Sequence, residues 1–216
     1  MKKRIKFRPV GGLVMIICCM AALSLGGCQL AYFFSGNGAS LADYTIPKKD
    51  RVLVMVDSAP AYPMTIQAIS SLCTRINDQL YQNKAASKLV PAFRLASLQQ
   101  SNPTAYRQMT IAQVAAVMKA DLVVYAFVQK FEVRLTSARQ ITRGYAVCAV
   151  KVVEKSGKRV WPENASEGFI VQAHVPPNLT RSQSTTAVQS RLLRKLSRRI
   201  ARIFYLHENG YTPHPE

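Results

Sequence analysis

Beyond residue 50 the chain alternates apolar runs of strand length with stretches in which apolar residues recur every three or four positions, the two periods that separate strand from helix. Arg51 opens Val52-Leu53-Val54-Met55-Val56, an unbroken apolar run that fits a central strand covered on both faces. From Met64 to about Asn83 a helix is predicted, with Ile66, Ile69, Cys73, Ile76 and Leu80 as its inward stripe. Lys88 to Ala92 reads as a short second strand, put at an edge or a strand end by Pro91, and Arg94 to Gln100 as one added helical turn. Thr110 starts a further helix with Ile111, Val114, Ala115 and Met118 inward, and Asp121 turns the chain into the buried strand Leu122 to Val128. That strand runs on through Phe131 to Leu135, where alternation says one face has become wet. Turns near Ser137 to Gln140 and at Lys155 to Lys158 set off Tyr145 to Glu154 and Arg159 to Trp161, which together read as a meander. Gly168 to Val175 is the last predicted strand, ended by Pro176-Pro177.

The sharpest pattern lies at the other end of this region. Between Thr185 and about His207, Leu192, Leu193, Leu196, Ile200, Ile203 and Phe204 share one helical face, while Arg191, Arg194, Lys195, Arg198, Arg199 and Arg202 crowd the other. Asn209-Gly210 supplies a stop signal. No acid occurs between Glu167 and Glu208, so nothing within the helix neutralises the basic face. The predicted architecture is therefore α/β, a single mixed-sheet domain with helices packed on the sheet, ending in an amphipathic helix.

Residues before 51 follow a different pattern. A basic head (Lys2, Lys3, Arg4, Lys6, Arg8) leads into an apolar run from Leu13 to Leu25 and then small residues, the three parts of a secretory signal. Leu25-Gly26-Gly27-Cys28 resembles the bacterial lipobox, which implies cleavage between Gly27 and Cys28 and a lipid carried on the Cys28 sulfur. A transmembrane anchor is the competing reading, since no charge falls between Arg8 and Asp43. The unbroken run of 13 residues is short of the ~20 that a spanning helix needs, which favours the lipid anchor. Gln29 stands where an Asp would argue for inner-membrane retention, which points to the outer membrane. The expected organisation is a signal peptide over 1–27, a lipidated tether over 28–50 carrying the interfacial aromatics Tyr32, Phe33 and Phe34, a domain over 51–208 and a tail over 209–216.

Charge and cysteine content then narrow the partners. The 216 residues carry a formal +18, which falls to +13 (24 Lys and Arg against 11 Asp and Glu) once the five cations of the signal are removed. In a cytoplasmic protein such an excess suggests nucleic acid; export removes that partner. It leaves anionic lipid headgroups, acidic cell-wall polymer or an acidic envelope protein, with a homo-oligomer as a further option. Cys18 and Cys19 leave with the signal and Cys28 takes the lipid, so Cys73 and Cys148 alone could pair. Two buried, reduced thiols are the preferred reading.

The order strand, helix, strand, helix, long strand, hairpin, strand, helix resembles the small domain shared by the penicillin-binding-protein activator lipoproteins, the curli secretion lipoprotein and the amino-terminal domain of the Tol translocation protein. Its carriers are Arg51 to Val56, the run Thr110-Ile111-Ala112-Gln113 through Lys119-Ala120-Asp121-Leu122-Val123-Val124-Tyr125, and the hairpin Val152 to Trp161. The chain is also similar to lipoproteins of planctomycete bacteria, in which a Gly-Cys-Gln-Leu start (Gly27 to Leu30) precedes a tether and this same order. The resemblance covers roughly residues 51 to 206. It implies an envelope protein that works by docking, and it brings no active-site residues; the chain shows no extra membrane-inserting hairpins of the kind a secretion pore carries.

Catalytic constellations are poorly represented. The loop from Asp57 to Pro63 holds two prolines and no glycine, unlike a phosphate-cradling loop. Ser58, His174 and Asp57 could be imagined as a triad, but no nucleophile elbow surrounds them. Cys73, Cys148 and His174 lack the close-spaced pairs of a structural zinc site, so neither metal nor cofactor is expected. Paired carboxylates would have to come from 11 acids, most at predicted strand ends or turns. Trp161 and Tyr145 fit cross-strand packing better than a ligand surface. The expected function is a membrane-anchored binding or adaptor module and not an enzyme, with the six cations of the last helix as docking face. A cell-wall hydrolase whose site is not legible and a purely structural lipoprotein are the alternatives. The anchor is directly testable: Cys28→Ser removes the thiol that forms the thioether, so the variant is expected in the soluble fraction. A variant that stays membrane-bound in high salt, with the same uncleaved amino terminus as wild type, would establish a transmembrane anchor instead.

Overall fold

The computed structural model describes residues 39–136, 141–176 and 184–208. The sheet is built around β2 (Arg51–Ser58), which pairs in parallel with β3 (Lys88–Leu89) on one side and β4 (Leu122–Thr136) on the other. β4 pairs antiparallel with β5 (Ile141–Glu154) along nearly its whole length. The far edge of β5 is shared: β6 (Arg159–Trp161) takes Val152 and Val153, and β7 (Phe169–Val175) takes Gly144 to Val150. The expected meander therefore holds for β4, β5 and β6, but β7 returns to β5 instead of continuing past β6. Two short strands, β1 (Ala39–Ser40) and β8 (His207–Glu208), pair with each other in a separate small unit.

Five helices accompany the sheet among the described residues: α1 (Ile66–Gln82), α2 (Ala92–Ser101), α3 (Pro103–Gln108), α4 (Ile111–Met118) and α5 (Thr185–Arg202). Alternate residues of β2 serve two cores. Val52, Val54 and Val56 face α1 and α5 through Leu72, Ile76, Leu192, Leu196 and Ile200. Leu53 and Met55 face α2 and α4 through Leu95, Val114, Ala115 and Met118. A strand so covered must be apolar at every position, which is why Val52 to Val56 lacks alternation.

β4 shows how the period is kept when a strand leaves the central sheet. Val124, Ala126 and Val128 point toward α1 and α5, and the register then shifts between Val128 and Lys130. The extra residue, Gln129, is a β-bulge that changes the phase, so that Phe131 and Val133 continue the inward row while Lys130, Glu132 and Arg134 lie on the other face. None of the described helices is long and apolar enough to cross a membrane.

Several boundaries differ from expectation. The compact unit runs from Leu41 to Leu206, so it starts before Arg51. Ile46 is buried, and the Tyr44 N–H donates to the Ile203 carbonyl at 3.1 Å. Isolated anchors of this kind leave no period to read. In α1 the buried residues are Ala68, Leu72, Cys73, Ile76 and Leu80, whereas Ile66 is 56% exposed. At ~100° per residue Ile66 lies ~80° round from Ile76, on the flank of the stripe and in the first turn. The single turn expected at Arg94 to Gln100 is the ten-residue α2, and α3 was not expected at all; its start is fixed by Asn102, whose Oδ1 accepts from the Ala105 N–H, with Pro103 as first helical residue. α5 stops at Arg202, short of His207, and Ile203 and Phe204 close the core from a turn. The expected stop at Asn209-Gly210 lies outside the described residues.

Asp121 ties three elements at the amino end of β2. Its carboxylate accepts from the Arg51 N–H at 3.1 Å and from Lys155 Nζ at 3.3 Å, while its own N–H donates to the Arg51 carbonyl at 2.8 Å. The Arg51 N–H first, then Lys155, holds this carboxyl below its ordinary range. A carboxyl depressed by folding stabilises above its unfolded pKa and loses that contribution as pH falls through the folded value. Asp121→Ala is therefore expected to melt below wild type at pH 7. The gap should start to close near ~pH 3.9 and vanish in stronger acid; thermal melts across an acid series check it.

Candidate docking face

α5 is positioned from both ends and from beneath. Ser184 caps it, its hydroxyl accepting from the Ala187 N–H at 3.2 Å. Val188, Leu192, Leu193, Leu196, Ile200 and Ala201 are buried against the sheet and α1. Close approach depends on Gly144 of β5: a Cβ there would lie 3.1 Å from Val188 Cγ1 and 3.3 Å from Leu192 Cδ2. The apolar face is thus the one expected, widened by Val188 and Ala201.

The six cations on the opposite face do not form one surface. Lys195 Nζ donates to the His174 carbonyl at 3.1 Å, and Arg199 Nη1 donates to the Gln172 carbonyl. Both carbonyls belong to β7, which among the described residues pairs with β5 on one side only, so these two side chains cover a sheet edge that no described strand pairs. Arg202 is half-buried and hydrogen-bonded to Tyr205. Arg191, Arg194 and Arg198 are exposed, and none forms an ion pair with a described residue. Arg194 and Arg198 line a notch between α1 and α5 with Ser197, Gln79, Arg75 and Asp78. Arg75, whose Nε donates to Ser71 Oγ at 3.3 Å, is a cation that no pattern within α5 could indicate, because the neighbour relation crosses two helices. Asp78 is likewise an acid opposite a helix that has none of its own.

Other residues singled out from the sequence take structural places. Ser58 Oγ accepts from the Met64 N–H at 3.1 Å, and Asp57 and Ser58 line a crevice at the carboxyl end of β2. His174 lines a different cavity with Glu132, Arg134, Arg143 and Tyr145, so the imagined triad is not assembled. Cys73 and Cys148 are buried and unpaired. Burial pushes the Cys73 thiol up to about 12 and the Cys148 thiol higher still, the opposite of a reactive thiolate. Among the described residues no three His, Cys, Asp or Glu side chains gather as metal ligands. Trp161 packs against Phe169, Tyr44 and Phe204 with ring centroids 5.2, 6.2 and 6.4 Å away, and Tyr145 lies beneath Lys130 Nζ at 5.7 Å. Gly27 and Cys28 lie outside the described residues.

No family model matches the chain, and no curated protein matches it. Solved structures do. The lipoprotein GNA1162 from Neisseria meningitidis is 14% identical with a TM-score of 0.44, over 65% of this chain and 90% of that one. The PelC dodecamer from Paraburkholderia phytofirmans in space group P6 is 13% identical at 0.41, over 77% and 98%. The hypothetical protein CT253 from Chlamydia trachomatis is 18% identical at 0.36, over 70% and 96%. Likeness at this level assigns no function.

The division of the basic face has a measurable consequence. Lys195→Ala with Arg199→Ala uncovers the β7 edge while removing only exposed contacts, each within about 1 kcal/mol. The double variant is expected to keep its circular dichroism and to self-associate with rising concentration, as sedimentation velocity would show. Arg191→Ala, which touches no edge carbonyl, should stay as wild type.

Proposed function

We propose that the chain is a lipid-tethered, non-enzymatic binding module of the cell envelope that docks on an anionic envelope component through Arg191, Arg194 and Arg198, with Arg75 beside them. The observation that carries this reading is that the guanidinium groups of Arg191, Arg194 and Arg198 are exposed on α5 and form no ion pair with a described residue. A guanidinium offers a planar fork that fits carboxylate and phosphate oxygens, so a cluster held on rigid helices suits an anionic surface.

Chain length supports membrane headgroups as the first target. Only 13 positions separate Cys28 from Leu41, where the compact unit begins, and at ~3.5 Å each the tether reaches at most ~45 Å. A domain held so near the membrane meets its headgroups at high effective concentration. The docking mode implied by the resemblance to the activator, curli and Tol domains agrees with this role.

The test is Arg194→Glu with Arg198→Glu, two exposed positions at which the fold should change by about 0.5 kcal/mol or less each. Wild type is expected to bind vesicles containing anionic lipid in a salt-sensitive way and neutral vesicles at least tenfold more weakly. The double variant should lose the difference with its melt unchanged. If vesicle binding is the same in both proteins, α5 is ordinary solvated surface; a crosslinked pull-down lost in the variant would move the target from lipid to an acidic envelope protein.

A further inference from the structure

The two crossovers that leave and re-enter the parallel part of the sheet pass on opposite faces. α1 connects β2 to β3 over one face, and α2, α3 and α4 connect β3 to β4 over the other. The connections that leave the carboxyl ends of β2 and of its neighbour β3 therefore pass to opposite faces, the arrangement in which open α/β sheets form ligand crevices beyond the carboxyl ends of the strands. A cavity of about 650 Å³ lies along α1 and α2, lined mainly by hydroxyl and amide side chains, with Arg75 and Asp78, which also border the notch against α5, in the same wall. The cavity at the end of β2 is different in kind.

This crevice measures about 720 Å³, within the range of small-molecule sites. Ile66 and Ile69 of α1 and the ring of Tyr106 of α3 give it apolar walls, and Arg107 stands exposed at its mouth. Ile66, 56% exposed on the flank of the α1 stripe, lines both this space and the neighbouring cavity along α1 and α2. Asp57 and Ser58 form the end of β2. The Ser58 hydroxyl accepts from the Met64 N–H and keeps its own proton to donate. Asp57 receives a hydrogen bond from Tyr125, but no cation among the described residues pairs with it within 4 Å. The Tyr106 hydroxyl, electrostatically coupled to Asp57, is buried behind the wall without a hydrogen-bond partner; Gln99 approaches it without completing one.

We propose that this crevice is a binding site for a small ligand bearing a primary ammonium group on an apolar body, with the Asp57 carboxylate as counter-charge. A partly desolvated carboxylate needs a partner charge or hydrogen-bond donors, and among the described residues only the Tyr125 hydroxyl approaches it as a side-chain donor, where a carboxylate can accept about four. Burial raises the Asp57 carboxyl and the Tyr125 hydrogen bond only partly offsets this, which agrees with a charge lacking compensation. An ammonium at Asp57 would supply it, the ligand's hydrocarbon would cover Ile66 and Ile69, and an anionic far end would meet Arg107. The site is separate from the α5 face, and either can fail without the other.

The probe is 6-aminohexanoate against hexanoate, which differs only in lacking the ammonium. Calorimetric titration of the full-length protein in non-ionic detergent is expected to give a Kd near ~1 mM or tighter for the amine and at least tenfold weaker binding for hexanoate. Asp57→Asn should abolish that discrimination, with a thermal melt as folding control. Ile66→Trp, at an exposed position, narrows the cavity without touching the carboxylate and should weaken the amine at least tenfold. Equal binding of the two probes, no binding of the amine at ~10 mM, or discrimination unchanged in Asp57→Asn would overturn the proposal.

Discussion

A strand with both faces buried has no polar side to offer water, and this constraint on β2 organises the domain. Its even-numbered valines require one helical layer and its odd-numbered Leu53 and Met55 another. The connection that leaves its carboxyl end passes over one face, and the connection from β3 to β4 passes over the other. One consequence is a crevice that neither layer fills. Another is that α1 and α5 share the same face and are packed side by side over Leu72, Ile76, Leu192 and Leu196, all fully buried. The docking proposed for the outer surface of α5 would thus rest on a helix whose other face is buried against the sheet and α1.

The charge of α5 is divided between a sheet edge and solvent. A helix with six cations and no acid looks like one electrostatic surface, yet Lys195 and Arg199 are committed to carbonyls of β7. Their positions four apart set them one turn along the helix, and the two carbonyls lie two residues apart on the strand. The match of these spacings lets one helix flank protect one sheet edge. Arg194 and Arg198 repeat the same four-residue step on the other flank, where they meet the polar side of α1 instead of a strand. Identical residue types at identical spacing therefore serve different ends, decided by which element lies alongside.

This explains how far the chain could be read. Strand positions β2, β4, β5 and β7, the capped start of α4 at Thr110 and the buried face of α5 were legible because each rests on a local period or cap that survives in the fold. What was not legible depended on contacts distant in sequence. Nothing local says that β7 returns to β5, that Ile46 and Tyr44 belong to the core, or that Arg75 stands beside Arg194. α3 is an intermediate case: Asn102-Pro103 is a sound start signal, but six residues are too few to show a helical period. Ile66 is the instructive miss. It satisfies the three-and-four spacing of a core residue, and its exposure follows from its place on the flank of the stripe at the end that faces the crevice.

The two candidate sites share α1. Ile66 and Ile69 border the crevice, and Arg75 and Asp78 border the notch against α5, with the nearest pair six residues apart, or ~9 Å along the axis. Proximity of this order invites a claim of coupling, but coupling requires an element with two arrangements that the ligands bind unequally. Between and beyond the two sets, Leu72, Ile76 and Leu80 are fully buried against the sheet, and close-packed interiors resist the small shifts that a continuous response would need. α1 therefore acts as a fixed partition. Occupation of the crevice alters the apolar surface at its first turn, an anion at the notch meets guanidinium groups two turns on, and the two binding free energies should add.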